Sequence, residues 1–125
     1  MDDLTVQEFD WSPQKSAHSV WFGEDTPLYV CGSGLHIYEN GQWSKVEELP
    51  KIYKNRVRGN HQNDVFVAGE FGLLAHYNGV DWKVYDEPSL PTGKYWGLAV
   101  KGDLVVAVGW DGTGRAVICI GKRKK

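Results

Sequence analysis

Short stretches in which apolar and polar residues alternate run through most of the chain, separated by turns that contain Gly and Asn. The clearest group has four such stretches, at residues 55–58, 64–68, 73–77 and 82–85. Alternation with a period of two predicts β-strands, and Asn78-Gly79 before the last stretch is typical of a tight hairpin turn. The group is therefore predicted to form four antiparallel strands, A to D.

This four-strand pattern recurs along the chain. Gly32 and Gly69, which end two copies of strand B, are 37 residues apart, and Gly109 follows 40 residues after Gly69. Trp43 and Trp82, which begin two copies of strand D, are 39 residues apart. The other predicted strands lie at 19–22, 28–31, 35–38 and 43–46 in the first copy and at 97–100, 104–108 and 116–120 in the third. A repeat of this length made of short strands predicts an all-β array of β-propeller blades, which bury their faces by stacking.

The third copy lacks strand D, and a counterpart stands at the other end of the chain. Residues 4–9, followed by Trp11-Ser12-Pro13, resemble the strands that begin at Trp43 and Trp82. The predicted strand order is therefore D-ABCD-ABCD-ABC. We expect one β-propeller-type domain over residues 1–125, divided into a latch strand (1–13), blade 1 (17–50), blade 2 (54–91), blade 3 (95–121) and a solvated basic tail (122–125).

Three blades are too few to close a ring, because propellers have four to eight. Two chains arranged head to tail would give six blades, with each N-terminal strand completing the last blade of its partner. This pairing would also cover a strand edge that otherwise invites aggregation, and two-fold oligomers are the commonest kind. We expect a homodimer formed by exchange of the N-terminal strand. An open monomeric stack of three sheets and a nine-bladed trimer are the alternatives.

Composition restricts the classes of protein that this chain can belong to. Its 42% hydrophobic and 13% aromatic content provides enough apolar surface for a folded core. A net charge of −2 gives no general attraction to nucleic acid. The sequence contains no apolar stretch near 18 residues and no secretory signal, so we expect neither a membrane span nor export. We expect a cytoplasmic protein in which Cys31 and Cys119 are reduced, a disulfide between them being the alternative.

The sequence Asp-Val-Phe-Val-Ala-Gly at residues 64–69, followed by His76-Tyr-Asn-Gly and Trp82, resembles bacterial propeller repeats of the BNR-like and photosystem II assembly factor-like kind. The likeness extends over residues 19–121, and it implies a propeller architecture without implying an activity. The Asp-box of sialidase-type propellers has Ser and Asp ahead of the Gly in this hairpin. This chain has Ala75 and Tyr77 there, which argues against the analogy to glycosidases.

Motifs for catalysis are not found. There is no Gly-x-Ser-x-Gly elbow, phosphate-binding loop, dinucleotide fingerprint or two-His zinc spacing. His36 and His76 fall at nearly equivalent places in strand C, and such repetition favours a structural role. The acidic pairs Glu47-Glu48 and Asp86-Glu87 follow D strands and are expected to be solvated. We therefore expect no enzyme, no metal and no cofactor.

The loops before strand A and after strand B share one face of the predicted ring, where propellers commonly bind ligands. Aromatic residues mixed with Arg are typical of interface hot spots. The candidate residues in these loops are Tyr53, Glu70, Phe71, Tyr95, Trp96, Trp110, Asp111 and Arg115. Arg56 and Arg58, flanked by His18 and Trp21, are predicted to line the axis and to attract an anionic group or an acidic partner loop. The alternatives are that Phe71, Trp96 and Trp110 pack between blades, and that the arginines pair with Asp64 or Glu70.

The sequence thus favours a non-enzymatic protein-interaction module that binds a partner through this loop face. An inhibitor or immunity protein that neutralises a bacterial toxin is one specific form. A propeller that binds a small sugar or anion is the alternative, and a glycosidase- or lyase-like enzyme is the third. The loops differ between the copies, which favours a protein partner over a set of equivalent small-ligand pockets.

Overall fold

The computed structural model describes residues 4–8, 16–86 and 90–123, and this part of the chain forms three antiparallel sheets. Sheet 1 contains β1 (Ala17–Trp21), β2 (Leu28–Gly32), β3 (Leu35–Glu39) and β4 (Gln42–Lys45). Sheet 2 contains β5 (Lys54–His61), β6 (Asp64–Gly69), β7 (Leu74–Tyr77) and β8 (Trp82–Val84). Sheet 3 contains β9 (Lys94–Lys101), β10 (Leu104–Trp110) and β11 (Ala116–Lys122). No helix of the described ranges is long and apolar enough to cross a bilayer.

The predicted all-β architecture, with two four-stranded units and a three-stranded one, is confirmed. Neighbouring strands pair in chain order in every sheet, as successive hairpins require. The largest difference in length concerns β5 and β9, which are each eight residues long. Each continues beyond its predicted alternating stretch because flanking polar residues, such as Lys54 and His61, also form ladder pairs.

Sheet 2 is buried on both faces. One core lies between sheets 1 and 2 and contains Tyr29, Cys31, Leu35, Leu49, Val57, Val65, Val67 and Ala75. A second core lies between sheets 2 and 3 and contains Phe66, Ala68, Leu74, Leu90, Tyr95, Leu98, Val105 and Ala107. Every residue of β6 is buried, because its odd and even positions face different cores. The first strands of the three sheets, β1, β5 and β9, lie side by side.

The glycines that end strand B in sheets 2 and 3 have a steric reason. A Cβ at Gly69 would overlap the carbonyl oxygen of Tyr53, and a Cβ at Gly109 would overlap that of Lys94. The pairing register shifts at both places, at residues 54–56 in sheet 2 and 108–109 in sheet 3. The irregular start of strand A thus brings its backbone against the end of strand B, where only Gly fits.

The two ends of the chain differ from the expected latch and tail. Residues 4–8 of the predicted latch form no strand in the single chain, and Leu4 and Val6 are exposed. An isolated segment has no ladder hydrogen bonds to hold it extended; residues 1–3 and 9–13 of the latch lie outside the described ranges. At the other end, β11 runs through Lys122 and Arg123 forms an ion pair, so the solvated basic tail is shorter than predicted.

Candidate partner-binding face

The turn between β6 and β7 is fastened to the segments that precede β5 and β9. The Glu70 amide donates to the carbonyl of Tyr53 at 3.0 Å, and the Phe71 amide donates to that of Gly93 at 2.7 Å. Glu70 also forms a β-bridge with Lys94. These backbone bonds place the turn beside the loop that leads into β9, as predicted for one edge of the sheets. We call this edge, with Tyr53, Glu70, Phe71, Asp111 and Arg115, the loop face.

The Glu70 carboxylate joins sheets 2 and 3. The Asn55 side-chain amide donates to Glu70 Oε2 at 3.0 Å and to the carbonyl of Tyr95 at 2.9 Å. The Lys94 ammonium lies 3.1 Å from Glu70 Oε1. Asn55 is buried, so its amide gains these partners in place of water. Glu70 therefore links sheets 2 and 3 through its side chain. Only the exposed part of that side chain is left to contact a partner.

Phe71 is the most unusual residue of the loop face. Its φ is 59°, in the left-handed region that costs a residue with a Cβ about 1–2 kcal/mol, and its side chain is 56% exposed. The corresponding turn of sheet 1 is two residues shorter and carries Ser33, so the repeat itself does not require an aromatic residue there. An exposed aromatic ring held in a strained backbone is typical of functional sites.

Trp96 and Trp110 lie at the loop edge of sheet 3, on its outer face. Their rings are parallel within 3°, with centroids 6.4 Å apart, and they are 50% and 37% exposed. Along β10, Val105 and Ala107 face sheet 2, so alternation puts Trp110 on the opposite face. The alternative in which Phe71, Trp96 and Trp110 pack between sheets of this chain is not what the structure shows. Tyr95, in contrast, is fully buried in the second core and offers no surface to a partner.

Asp111 organises the turn between β10 and β11. Its Oδ1 accepts hydrogen bonds from the Thr113 amide at 2.7 Å, the Thr113 hydroxyl at 2.8 Å and the Arg115 amide at 3.2 Å. The two bonds from Thr113 hold the pKa of this carboxyl below its usual range. Asp111 therefore shapes the turn that presents the exposed Arg115.

Arg56 and Arg58 lie where β5 runs beside β1. Arg58 Nη1 donates to Ser19 Oγ at 2.9 Å and to the carbonyl of Val57 at 2.7 Å. Arg56 Nη1 donates to the carbonyl of Asn55 at 2.7 Å. Within the described ranges neither guanidinium forms an ion pair. The predicted alternative, pairing with Asp64 or Glu70, is therefore not observed.

The two residues predicted to flank these arginines have different surroundings. The His18 ring meets Tyr53 edge to face, with centroids 4.8 Å apart, and the Tyr53 hydroxyl is hydrogen-bonded to Ser16. Trp21 instead packs against the first core and covers Gly59, where a Cβ would come within 3.0 Å of its ring. His18 and Tyr53 thus remain beside the loop face, whereas Trp21 is part of the packing between sheets 1 and 2.

A charged cluster that the sequence did not predict lies between sheets 2 and 3. Asp64 is 3% exposed, and its Oδ1 is 2.6 Å from His76 Nε2 and 2.7 Å from Arg123 Nη2, while Asn60 donates to its Oδ2 at 2.7 Å. Burial opposes the negative charge, but the bonds from Arg123, Asn60 and His76 outweigh it and hold the pKa of the Asp64 carboxyl below its usual value. A cavity of about 280 Å³ adjoins the cluster, lined by Phe66, Leu74, His76, Tyr85, Cys119 and Arg123 among others.

His36 and His76 are not structurally equivalent. Phe66 pairs with His76, and the corresponding Tyr29 pairs with Ile37, so His36 lies one position away and on the opposite face of its sheet. The longer turn after Gly69 causes this shift. The His76 ring stacks on Phe66 at 4.3 Å and bonds Asp64, so it has a structural role that His36 does not share.

Three features of the described residues bear on catalysis: the metal-ligating side chains, the buried thiol and the Asp64–His76 pair. No group of three or more His, Cys, Asp or Glu among them could hold a metal ion. Burial raises the pKa of the Cys31 thiol to about 12, despite the nearby Arg56, Arg58 and Lys54, which disfavours the thiolate form needed of a nucleophile. Asp64 bonds His76, Arg123 and Asn60, and these contacts are typical of a structural ion-pair network.

Comparison of the chain with protein-family models, with curated proteins and with solved structures gave no match. The likeness to bacterial propeller repeats therefore stays a prediction from the sequence.

Proposed function

We propose that this chain is a non-enzymatic protein-interaction module, built from propeller-like blades, that binds a protein partner through its loop face. The observation that carries the proposal is Phe71. Its backbone is anchored at 2.7 Å to Gly93 while its ring is exposed, and the residue adopts a conformation that Gly would adopt at lower cost. A ring retained at such a cost is explained by a contact outside the chain.

The surroundings of Phe71 favour a protein partner over a small molecule. The platform below it is rigid, because Asn55, Glu70 and Lys94 connect sheets 2 and 3. A rigid aromatic residue on a fixed platform is typical of an interface anchor, which loses little entropy on binding. The turn of sheet 1 has no matching aromatic residue, so the repeats do not present a series of equal small-ligand pockets.

The charges near the loop face favour an acidic partner. Among the described residues, Arg56 and Arg58 hydrogen-bond neutral oxygens, and Arg115 is exposed at the loop face. Arginine binds carboxylates through two parallel hydrogen bonds, so an acidic loop is the natural counterpart. A cytoplasmic inhibitor that covers such a loop on an enzyme, as an immunity protein covers a toxin, is the specific form that we propose.

The test uses Phe71→Gly, with Asn40→Gly as its matched control. Asn40 is also a positive-φ residue (54°), but it lies in the β3–β4 hairpin turn. We expect both variants to change the free energy of unfolding by less than about 1 kcal/mol, since relief of strain offsets the entropy cost of Gly. Immobilised wild type and variants are exposed to lysate of the source cells, and the retained proteins are quantified by mass spectrometry.

We expect a protein that the wild type and the Asn40→Gly variant retain but the Phe71→Gly variant loses. Its direct binding to the purified chain, weakened at least tenfold by Phe71→Gly and also by Arg58→Ala, completes the test. Equal retention by wild type and Phe71→Gly would contradict the proposal.

A further inference from the structure

The two internal interfaces of the molecule use equivalent residues. Each sheet has two faces. We call the leading face the one that sheet 1 packs against sheet 2 and that sheet 2 packs against sheet 3. The opposite face of each sheet is the trailing face. The leading face contributes Tyr29, Cys31 and Leu35 to the first core, and the equivalent Phe66, Ala68 and Leu74 to the second. The trailing face contributes Val57, Val65 and Val67 to the first core, and the equivalent Leu98, Val105 and Ala107 to the second. One rule of packing therefore generates both cores.

Sheet 3 has a leading face on which no other described sheet packs. Val108 pairs with Ile118, just as Ala68 pairs with Leu74 and Cys31 with Leu35. Leu74 and Leu35 are buried, whereas Ile118 is 68% exposed, and its neighbour Ile120 is 65% exposed. Trp96 and Trp110 extend this apolar surface to the loop edge. Positions of the leading face that are buried in sheets 1 and 2, where another sheet packs on them, are thus exposed in sheet 3.

No other described sheet packs on the trailing face of sheet 1, where Val20 is 51% exposed although Val30 is buried. The members of this face are Val20, Leu28, Val30, Tyr38 and Trp43, and their equivalents in sheet 2 are Val57, Val65, Val67, Tyr77 and Trp82, all in the first core or packed against it. The two Tyr–Trp pairs have similar geometry, with centroids 4.9 Å apart in sheet 1 and 5.2 Å apart in sheet 2. An open apolar hollow of about 470 Å³ lies over Val20, Val30 and Trp43.

We infer that a second copy of this chain covers both surfaces, the leading face of sheet 3 in one copy packing on the trailing face of sheet 1 in the other. The interface continues the packing rule of the two cores. Because the two faces differ, the contact is head to tail. Two copies have four such faces between them, and a closed ring of six sheets buries all four. The inference does not depend on the partner proposed for the loop face.

Charges at the edge opposite the loop face support the same pairing. On the leading face of sheet 3, Lys101 and Lys122 flank Leu104. At the corresponding edge of sheet 1, Asp25 borders the apolar surface beside Leu28. Opposite charges at matching ends of two apolar faces favour this register and disfavour packing of either face on itself.

The second copy also provides a strand for the free edge of sheet 3. Within the described ranges β11 pairs with β10 alone, so its other edge has unpaired backbone groups. Residues 4–8 precede β1 and alternate in the manner of a strand, with Leu4 and Val6 exposed. In the ring, this segment of one copy lies next to β11 of the other, where it becomes the fourth strand of that sheet.

The inference is tested by light scattering on purified wild type, Ile118→Glu and Val20→Glu. Val80→Glu is the matched control, since Val80 is also an exposed apolar residue but lies in the β7–β8 turn, outside both faces. We expect wild type and control to have twice the chain mass of 14.1 kDa, and each of the other variants to have the single mass. Far-ultraviolet circular dichroism checks that the variants keep their sheets.

Mixing the two monomeric variants identifies the geometry. In a head-to-tail contact, the Ile118→Glu copy keeps a sound sheet 1 and the Val20→Glu copy keeps a sound sheet 3, so their mixture regains the double mass. A dimer in which like faces meet is lost with only one of the two variants, and mixing does not restore it. A wild type that stays at 14.1 kDa up to hundreds of micromolar, or a mixture that stays monomeric, would overturn the inference.

Discussion

Burial and charge oppose each other at Asp64, and hydrogen bonds decide the outcome. The carboxylate is almost inaccessible to water, but three side chains from β5, β7 and the segment after β11 donate to it. A carboxyl whose pKa is lowered by folding stabilises the fold fully above its unfolded pKa of about 3.9, and this contribution is lost as pH falls from there through the folded pKa. Asp64 therefore makes the packing of sheets 2 and 3 sensitive to acid.

Replacing Asp64 by Asn is expected to lower the free energy of unfolding by about 1–3 kcal/mol at neutral pH, because Arg123 loses its buried counter-charge. The wild type should lose this advantage as pH falls below about 4 and through the lowered pKa of Asp64 in the folded state, so the two curves converge. Urea unfolding across this pH range provides the measurement, with the exposed Asp81→Asn as control. Parallel curves for wild type and Asp64→Asn would contradict the assignment.

At the scale of single strands, the repeated glycine predicts where the fold tolerates no side chain. Gly69→Ala puts a Cβ against the Tyr53 carbonyl and should cost at least about 2 kcal/mol of unfolding free energy. Gly23→Ala is the matched control, since its Cβ makes only an ordinary 3.4 Å contact with Trp21, and it should change stability by less than about 0.5 kcal/mol. Equal effects in urea unfolding would refute the steric explanation.

The strands themselves could be predicted because their signals are local. Alternation and the Asn78-Gly79 turn located β7 and β8 to within a residue or two, and the spacing of Gly32 and Gly69 indicated the repeat before any contact was known. The Asp64–Arg123 contact could not be predicted, since it joins residues 59 positions apart and no pattern within either segment refers to the other. The register of the two histidines was missed because it depends on a turn that is two residues longer in one copy.

The candidate site was predicted in part. The loop residues Tyr53, Glu70 and Phe71 do come together, because Tyr53 directly precedes β5 while Glu70 and Phe71 follow β6 at the same edge of sheet 2. The exposure of Phe71 and the burial of Tyr95 could not be distinguished from sequence, since both are aromatic residues near a strand end. Tyr95 faces the second core because the bulge in β9 shifts the alternation of its side chains, and bulges have no reliable sequence signal, whereas Phe71 lies in the turn after β6.

At the scale of the whole molecule, the three sheets form a short array with apolar surface at both ends. A repeat array buries its faces only against neighbours, and arrays that stay monomeric carry polar capping sheets. Sheets 1 and 3 are not capped in this way, since Val20 and Ile118 are exposed at opposite ends. The absence of caps is the physical reason to expect that the fold is completed between chains.

Hydrogen exchange at β11, followed residue by residue by NMR, tests this central claim most directly. Half of the amides of an edge strand point away from its only partner and exchange rapidly with water. If a second copy supplies residues 4–8 as the fourth strand, all amides from Val117 to Lys122 are predicted to exchange slowly, and deletion of residues 1–8 should release alternate ones. Rapid exchange at alternate positions of β11 in the intact chain would contradict the account.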